Sequence, residues 1–68
     1  MLRKNRIREY RKIRKIRQRD LAVICGCHYN TLSMLERDIL RPSLDLARKV
    51  ARTLRTSIDD LWPPLGPR

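Results

Sequence analysis

Apolar residues recur every three or four positions along most of the chain, the spacing that places side chains on one face of an α-helix. Residues 5–15 contain good helix formers and neither Gly nor Pro, with apolar side chains at Ile7, Tyr10 and Ile13. A step of three residues turns about 300° around a helix, so these positions drift by about 60° each time. We therefore expect Ile7 and Tyr10 to be buried, Ile13 to lie at the margin, and Ile16 to pack from the following loop.

The next segment, residues 17–25, has the spacing of a short second helix. We expect Gly26 to end it, because glycine adopts the left-handed backbone conformation that suits a helix C-terminus followed at once by another helix. The apolar residues spaced by about one turn in this segment are Leu21, Ala22, Ile24 and Cys25.

Residues 28–37 predict a third helix with an unusually polar and exposed start. Leu32 and Leu35 lie on one face of it, which we expect to be buried. Its other face carries Tyr29, Asn30, Ser33 and Arg37.

Two further helices are predicted in the second half of the chain. Pro42 ends any continuation of the third helix, and Ser43 is a natural cap for a fourth. Ser57 and Asp60 form a start resembling a capping box for a short fifth helix, with Asp in place of the usual Glu or Gln. The apolar residues of these helices are Ala47, Val50, Ala51 and Leu54, then Ile58, Leu61 and Trp62.

This pattern predicts a single all-α domain with its core in residues 5–62 and a tail at 63–68. A chain of 68 residues buries only about 60% of the surface that its unfolded form exposes, so it supports one small core. No window approaches the roughly 18 consecutive apolar residues of a membrane span, and the N-terminus has no apolar stretch suited to a secretory signal. We therefore expect a cytoplasmic protein.

The charge favours a polyanionic partner. Lys and Arg number 17 against 7 Asp and Glu, a formal net charge of +10. Ten of the basic residues lie between Arg3 and Arg19. DNA, RNA and an anionic membrane surface all fit this excess, and a solvated basic face without a partner is the alternative.

The stretch ICGCHYN, residues 24–30, has two interpretations. Cys25, Cys27 and His28 could be metal ligands, but structural zinc generally requires four and the chain has no second cluster to complete the set. One residue between the two cysteines is too little for an unstrained disulfide. We therefore interpret the stretch as a turn at Gly26, with both cysteines acting as small apolar residues and no cofactor.

A set of positions in register resembles the helix-turn-helix domain of phage Cro and lambda-type repressors, the xenobiotic-response-element type. The resemblance covers residues 7–62 without gaps. It implies a five-helix lambda-repressor-like DNA-binding domain whose third helix enters the major groove. The positions that carry it are Gln18, Leu21-Ala22, Gly26, Thr31-Leu32, Leu35-Glu36-Arg37, Pro42-Ser43-Leu44 and Ser57-Ile58-Asp59-Asp60-Leu61.

The resemblance also implies roles for individual residues. Asn30 suits the N6 and N7 atoms of adenine, and Tyr29 can hydrogen-bond or pack on a thymine methyl. His28 lies where a helix cap belongs. The expected base contacts are Tyr29, Asn30, Ser33 and Met34; the expected phosphate contacts are Arg17, Gln18, Arg19, His28, Thr31, Arg37 and Arg41.

Several residues depart from the family pattern. Non-glycine residues lie at three helix ends where the family commonly has Gly. Either they take the left-handed conformation, at a cost on the order of 1 kcal/mol each and somewhat less for Asp, or these turns differ in shape. Arg17 replaces a Ser or Thr cap, and we expect Glu36 to pair with a nearby Arg or a backbone amide. Apolar residues in the loop after the third helix could fold onto the core or face a partner. The helix ends are Lys15, Asp38 and Arg55; the loop residues are Ile39 and Leu40.

The function expected from these features is sequence-specific binding of double-stranded DNA by a transcriptional regulator, a repressor acting as a homodimer. One rival is a helix-turn-helix module that binds a protein, such as an antitoxin or anti-repressor; another is RNA or membrane-surface binding by the basic N-terminal region. The sequence shows neither a nucleophile paired with a base nor a phosphate-cradling glycine loop, so we do not expect an enzyme. The expected dimer contacts are Ile58, Leu61 and Trp62.

Overall fold

The computed structural model describes residues 5–63, which form five helices and no strand. Its order is α1 (Ile7–Arg14), α2 (Gln18–Cys25), α3 (Tyr29–Glu36), α4 (Leu44–Thr53) and α5 (Ile58–Leu61). The predicted all-α, five-helix fold is confirmed. Met1 to Lys4, with the first of the basic residues, and the predicted tail after Pro63 lie outside the described residues.

One hydrophobic core holds the helices together. α2 packs against both α3 and α4, and α4 packs against α5. Each fully buried Leu or Ile stabilises the fold by roughly 1.5–3 kcal/mol relative to an exposed one. The core residues are Ile7, Leu21, Ala22, Cys25, Leu32, Leu35, Val50, Ala51, Leu54 and Leu61.

The margins of the core differ from expectation at three positions. Tyr10 is half-buried rather than buried, and Ile13 is 66% exposed rather than marginal. Ile24 is 60% exposed although its spacing matched that of the buried α2 residues. α2 buries Leu21, Ala22 and Cys25, and a residue one position before Cys25 is rotated by about 100° away from that face. Ile16 packs against the core from its loop, as predicted.

Four helix ends share one backbone motif. The residues after α1, α2, α3 and α4 that take a positive φ are Lys15 (58°), Gly26 (72°), Asp38 (60°) and Arg55 (59°). At each end two successive N–H groups bond back to the last turn, as in a Schellman motif; for α2 these are Gly26 N–H to Val23 (3.1 Å) and Cys27 N–H to Ala22 (3.0 Å). The expected left-handed conformations are confirmed, and only one of the four residues is glycine.

The N-terminal segment is fixed by Asn5, which was predicted to lie inside α1. Its Oδ1 accepts the N–H of Ile7 (3.1 Å), while its Nδ2 donates to Leu35 O and to Asp38 Oδ1 (2.8 Å). Arg6 N–H bonds to Leu61 O (2.8 Å). α1 therefore begins two residues later than predicted, because Asn5 binds the end of α3 and Arg6 binds the end of α5.

Candidate nucleic-acid interface

The turn between α2 and α3 is set by Gly26. A Cβ added there would meet nothing within 4 Å, so the requirement at this position is the backbone φ of 72° and not space. The motif ends α2, and α3 begins three residues after Gly26. The predicted turn is confirmed.

Both cysteines face the core beside this turn. Cys25 is 3% exposed with Sγ 4.0 Å from Thr53 Oγ1, and Cys27 packs against the core from the loop. Burial raises the pKa of both thiols, which keeps them protonated at neutral pH. Within residues 5–63 no group of three His, Cys, Asp or Glu side chains is placed to hold a metal ion.

α3 presents a polar, exposed start. His28 is its cap, with Nδ1 accepting the N–H of Asn30 at 3.1 Å. The His28 ring stacks on that of Tyr29, with centroids 5.0 Å apart. Tyr29 is 48% exposed and Asn30 is also exposed, whereas Ser33 and Met34 are half-buried farther along the helix. The two most accessible of the expected base contacts are therefore adjacent at the first turn.

A polar cleft of about 260 Å³ lies beside this helix, where α1, the start of α2 and the second half of α3 meet. Arg11 forms an ion pair with Glu36, in which Nε donates to Oε2 (2.7 Å) and Nη2 donates to Oε1 (3.2 Å). Arg8 and Arg37 are exposed, so they give the rim of the cleft its positive charge. The lining residues are Arg8, Arg11, Gln18, Ser33, Glu36 and Arg37.

The cleft brings together residues that the sequence pattern only partly identified. Gln18 and Arg37 were expected to contact phosphates, and Glu36 was expected to pair with an arginine, as it does. Arg8 was missed. Arg8 lies one turn before Arg11 on α1, so the two side chains share a face of the helix. This spacing could identify Arg8 only once Arg11 is known to face α3.

The other residues that were expected to contact phosphate lie outside the lining of the cleft. Arg17 caps α2 without a side-chain hydrogen bond, and its Nε lies 3.6 Å from Asp20 Oδ2 in an exposed ion pair. Arg19 and Arg41 are exposed, and Thr31 is half-buried. Each of these residues except Thr31 has a largely accessible side chain for an anionic ligand.

The expected dimer contacts need one correction. Leu61 is fully buried in the core of the protomer, so its side chain is not accessible to a second chain. Ile58 and Trp62 are half-buried and pack against the core, each keeping part of its surface exposed. The short α5 points Leu61 inward because Leu61 lies three residues after Ile58, one turn along the helix.

Comparison with known proteins identifies the family. The family model HTH_3, described as Helix-turn-helix, matches residues 7–61. An uncharacterized HTH-type transcriptional regulator of Archaeoglobus fulgidus is 39% identical over 59 residues, which cover 87% of this chain and 84% of that protein.

Solved structures are similar over most of this chain. The DNA-binding domain of the P22 c2 repressor has a TM-score of 0.75 at 33% identity, covering 79% of this chain and 71% of that one. A chain of the SinR protein/SinI protein complex has a TM-score of 0.78 at 32% identity, covering 85% of this chain and 57% of that one, so this chain spans little more than half of that protein. The chain therefore belongs to the HTH_3 helix-turn-helix family, the Cro/C1 type, and its structural neighbours are lambda-like repressor DNA-binding domains.

Proposed function

We propose that this protein is a sequence-specific, double-stranded DNA-binding transcriptional repressor. The observation that carries the proposal is that α3 has an exposed polar start, while its second half lines a cleft that contains two exposed arginines. Tyr29 and Asn30 supply side chains that hydrogen-bond to base edges, while Arg8 and Arg37 supply charge at the cleft. A recognition helix needs both kinds of contact to bind a specific DNA sequence, since phosphate contacts fix its register and base contacts give its sequence preference.

Base reading is assigned to the exposed face of α3. Asn30 pairs with the N6 and N7 of adenine through its amide, and Tyr29 packs on a thymine methyl or hydrogen-bonds to a neighbouring base. Ser33 and Met34 are half-buried, so their contacts are restricted to the part of each side chain that remains accessible.

Phosphate binding is assigned to the cleft and its rim. Gln18 is the first residue of α2, where the unpaired amides of the helix N-terminus attract an anion. Arg8 and Arg37 add charge at the mouth of the same cleft. These contacts are independent of sequence and make the affinity depend on salt. The further phosphate contacts are Arg17, Arg19, Thr31 and Arg41.

We propose a homodimer on a two-fold operator. One α3 reads only a few base pairs, and a two-fold pair of recognition helices reaches half-sites about 34 Å apart. Trp62 and Ile58 supply the dimer contact, since both keep exposed apolar surface at the end of the domain formed by α5.

A protein-binding role is the second candidate, favoured by exposed aliphatic side chains. Ile39, Leu40 and Leu44 are 63%, 40% and 62% exposed around the loop between α3 and α4. One of the similar solved chains belongs to the SinR protein/SinI protein complex. An antitoxin-like or anti-repressor module would use such a surface for a protein and bind DNA weakly.

The test is selection of bound duplexes from a random DNA pool, followed by titration of the winner and of unrelated DNA. We expect a palindromic winner whose binding is lost in Asn30→Ala and Tyr29→Ala while binding to unrelated DNA persists. Thermal unfolding of both variants controls for folding. Equal affinity for every duplex, together with tight binding of one protein partner, would favour the second candidate.

A further inference from the structure

The cap of α3 differs chemically from those of α4 and α5. Ser43 and Ser57 cap their helices with a hydroxyl oxygen that accepts a backbone N–H. At α3 the acceptor is the Nδ1 of His28, 3.1 Å from the nitrogen of Asn30. A ring nitrogen that accepts a hydrogen bond carries no proton, so the neutral imidazole holds its proton on Nε2. The cap therefore fixes the tautomer of His28.

The orientation of the ring is fixed as well. Its face stacks on Tyr29, with centroids 5.0 Å apart and ring planes 28° from parallel. The capping bond holds Nδ1 toward the backbone of α3, and the stack limits rotation of the ring about that bond. The His28 side chain is exposed, so the Nε2–H group is available to a ligand. The start of α3 thus carries one preorganised donor, the Nε2–H group of His28, two residues before Asn30.

We propose that His28 is a specificity-determining residue that donates from Nε2 to a guanine edge in the major groove. This inference rests on the proposed DNA-reading function. Guanine presents two acceptors there, N7 and O6, whereas thymine presents O4 alone beside its methyl group, cytosine presents a donor, and adenine places a donor beside its N7. A neutral group that only donates therefore favours guanine. Asn30, which both donates and accepts, suits an adenine at a neighbouring position.

A serine variant separates the two roles of the histidine. In His28→Ser the hydroxyl retains the cap, and thermal unfolding is expected to match the wild type or to occur at higher temperature. The duplex selection is run on both proteins. We expect the wild-type winner to contain a G·C pair in each half-site whose replacement weakens wild-type binding by about tenfold or more. His28→Ser should bind the original and the replaced duplex equally.

The tautomer is measured without DNA. A long-range ¹H–¹⁵N NMR spectrum of the free protein should show a protonated Nε2 and an unprotonated Nδ1 at His28. The opposite tautomer would overturn the inference, as would a serine variant that keeps the guanine preference or weakens binding to every duplex equally. Failure of the wild type to enrich any sequence would instead overturn the proposed function, and the base reading by His28 with it.

Discussion

Arg11 and Glu36 form a two-pronged ion pair that joins α1 to α3 across 25 residues of sequence. Nε and Nη2 each donate to one carboxylate oxygen, and Nη1 donates to the carbonyl of Ile16 at 3.1 Å. The side chains are 14% and 7% exposed. This pair holds the C-terminal end of α3 against α1 and lines the cleft that we assign to phosphate binding.

Removing one partner should destabilise the fold strongly. Arg11→Ala leaves the Glu36 carboxylate largely buried without its cation, which typically costs about 3–5 kcal/mol. Arg17→Ala is the control, because its exposed ion pair with Asp20 is worth roughly 0–1 kcal/mol. Urea unfolding followed by circular dichroism measures both. Equal losses for the two variants would show that the buried pair adds nothing.

Glycine should have opposite effects at two left-handed positions. Lys15→Gly relieves a strained φ of 58° and is expected to raise the free energy of unfolding by about 0.5–1 kcal/mol. Asp38→Gly relieves a similar strain but removes the carboxylate that accepts two hydrogen bonds from Asn5, a loss of about 1–3 kcal/mol. Urea unfolding should therefore rank Lys15→Gly above the wild type and Asp38→Gly below the wild type.

Asp38→Asn provides the matched control for this pair. Asparagine tolerates the left-handed region and keeps one acceptor oxygen. The stability of Asp38→Asn should therefore equal that of the wild type or lie between those of the wild type and Asp38→Gly. A gain in stability for Asp38→Gly as large as that for Lys15→Gly would mean that the contact with Asn5 contributes nothing.

Neutralising the rim of the cleft should change the salt dependence of DNA binding. Each of Arg8→Ala and Arg37→Ala is expected to reduce the slope of log K against log salt by about 0.9, the value for one phosphate contact on B-DNA. The loss should be the same on selected and unrelated duplexes. Arg48→Ala, an exposed position on α4 outside the cleft, is the control and should leave the slope unchanged. Equal slopes for all three variants would place the phosphate contacts elsewhere.

The start of α5 should lose stability in acid. The Thr56 hydroxyl donates to Asp60 Oδ2 at 2.9 Å, and this bond, followed by that to Ser57, lowers the pKa of the Asp60 carboxyl. A carboxyl whose pKa is lower in the folded state stabilises the fold above its unfolded pKa of about 3.9, and this contribution is lost as pH falls through the folded value.

Thr56→Val tests this effect, because valine has the shape of threonine without the donor. The wild type should be the more stable near pH 6, and the difference in free energy of unfolding should shrink as the pH is lowered to about 2. Asp59→Asn, which removes a neighbouring exposed charge, is the control for a general charge effect. A difference between wild type and Thr56→Val that stays constant with pH would contradict the assignment.

Features governed by neighbouring residues could be predicted from the sequence. The five helices, the Gly26 turn, the serine caps at Ser43 and Ser57, and the left-handed helix ends depend on residues within one or two turns. The pairing of Glu36 with an arginine could also be expected, because a carboxylate beside a phosphate-binding surface requires a cation.

The tertiary structure decided which distant groups meet. It chose Arg11 among many arginines as the partner of Glu36, and it removed Asn5 from α1 to bind Asp38 across 33 residues. It also buried Leu61, exposed Ile24, and placed Arg8 in the cleft with Gln18 and Ser33. Helical periodicity specifies only a face of each helix; how the helices cross around a shared core determines what that face contacts.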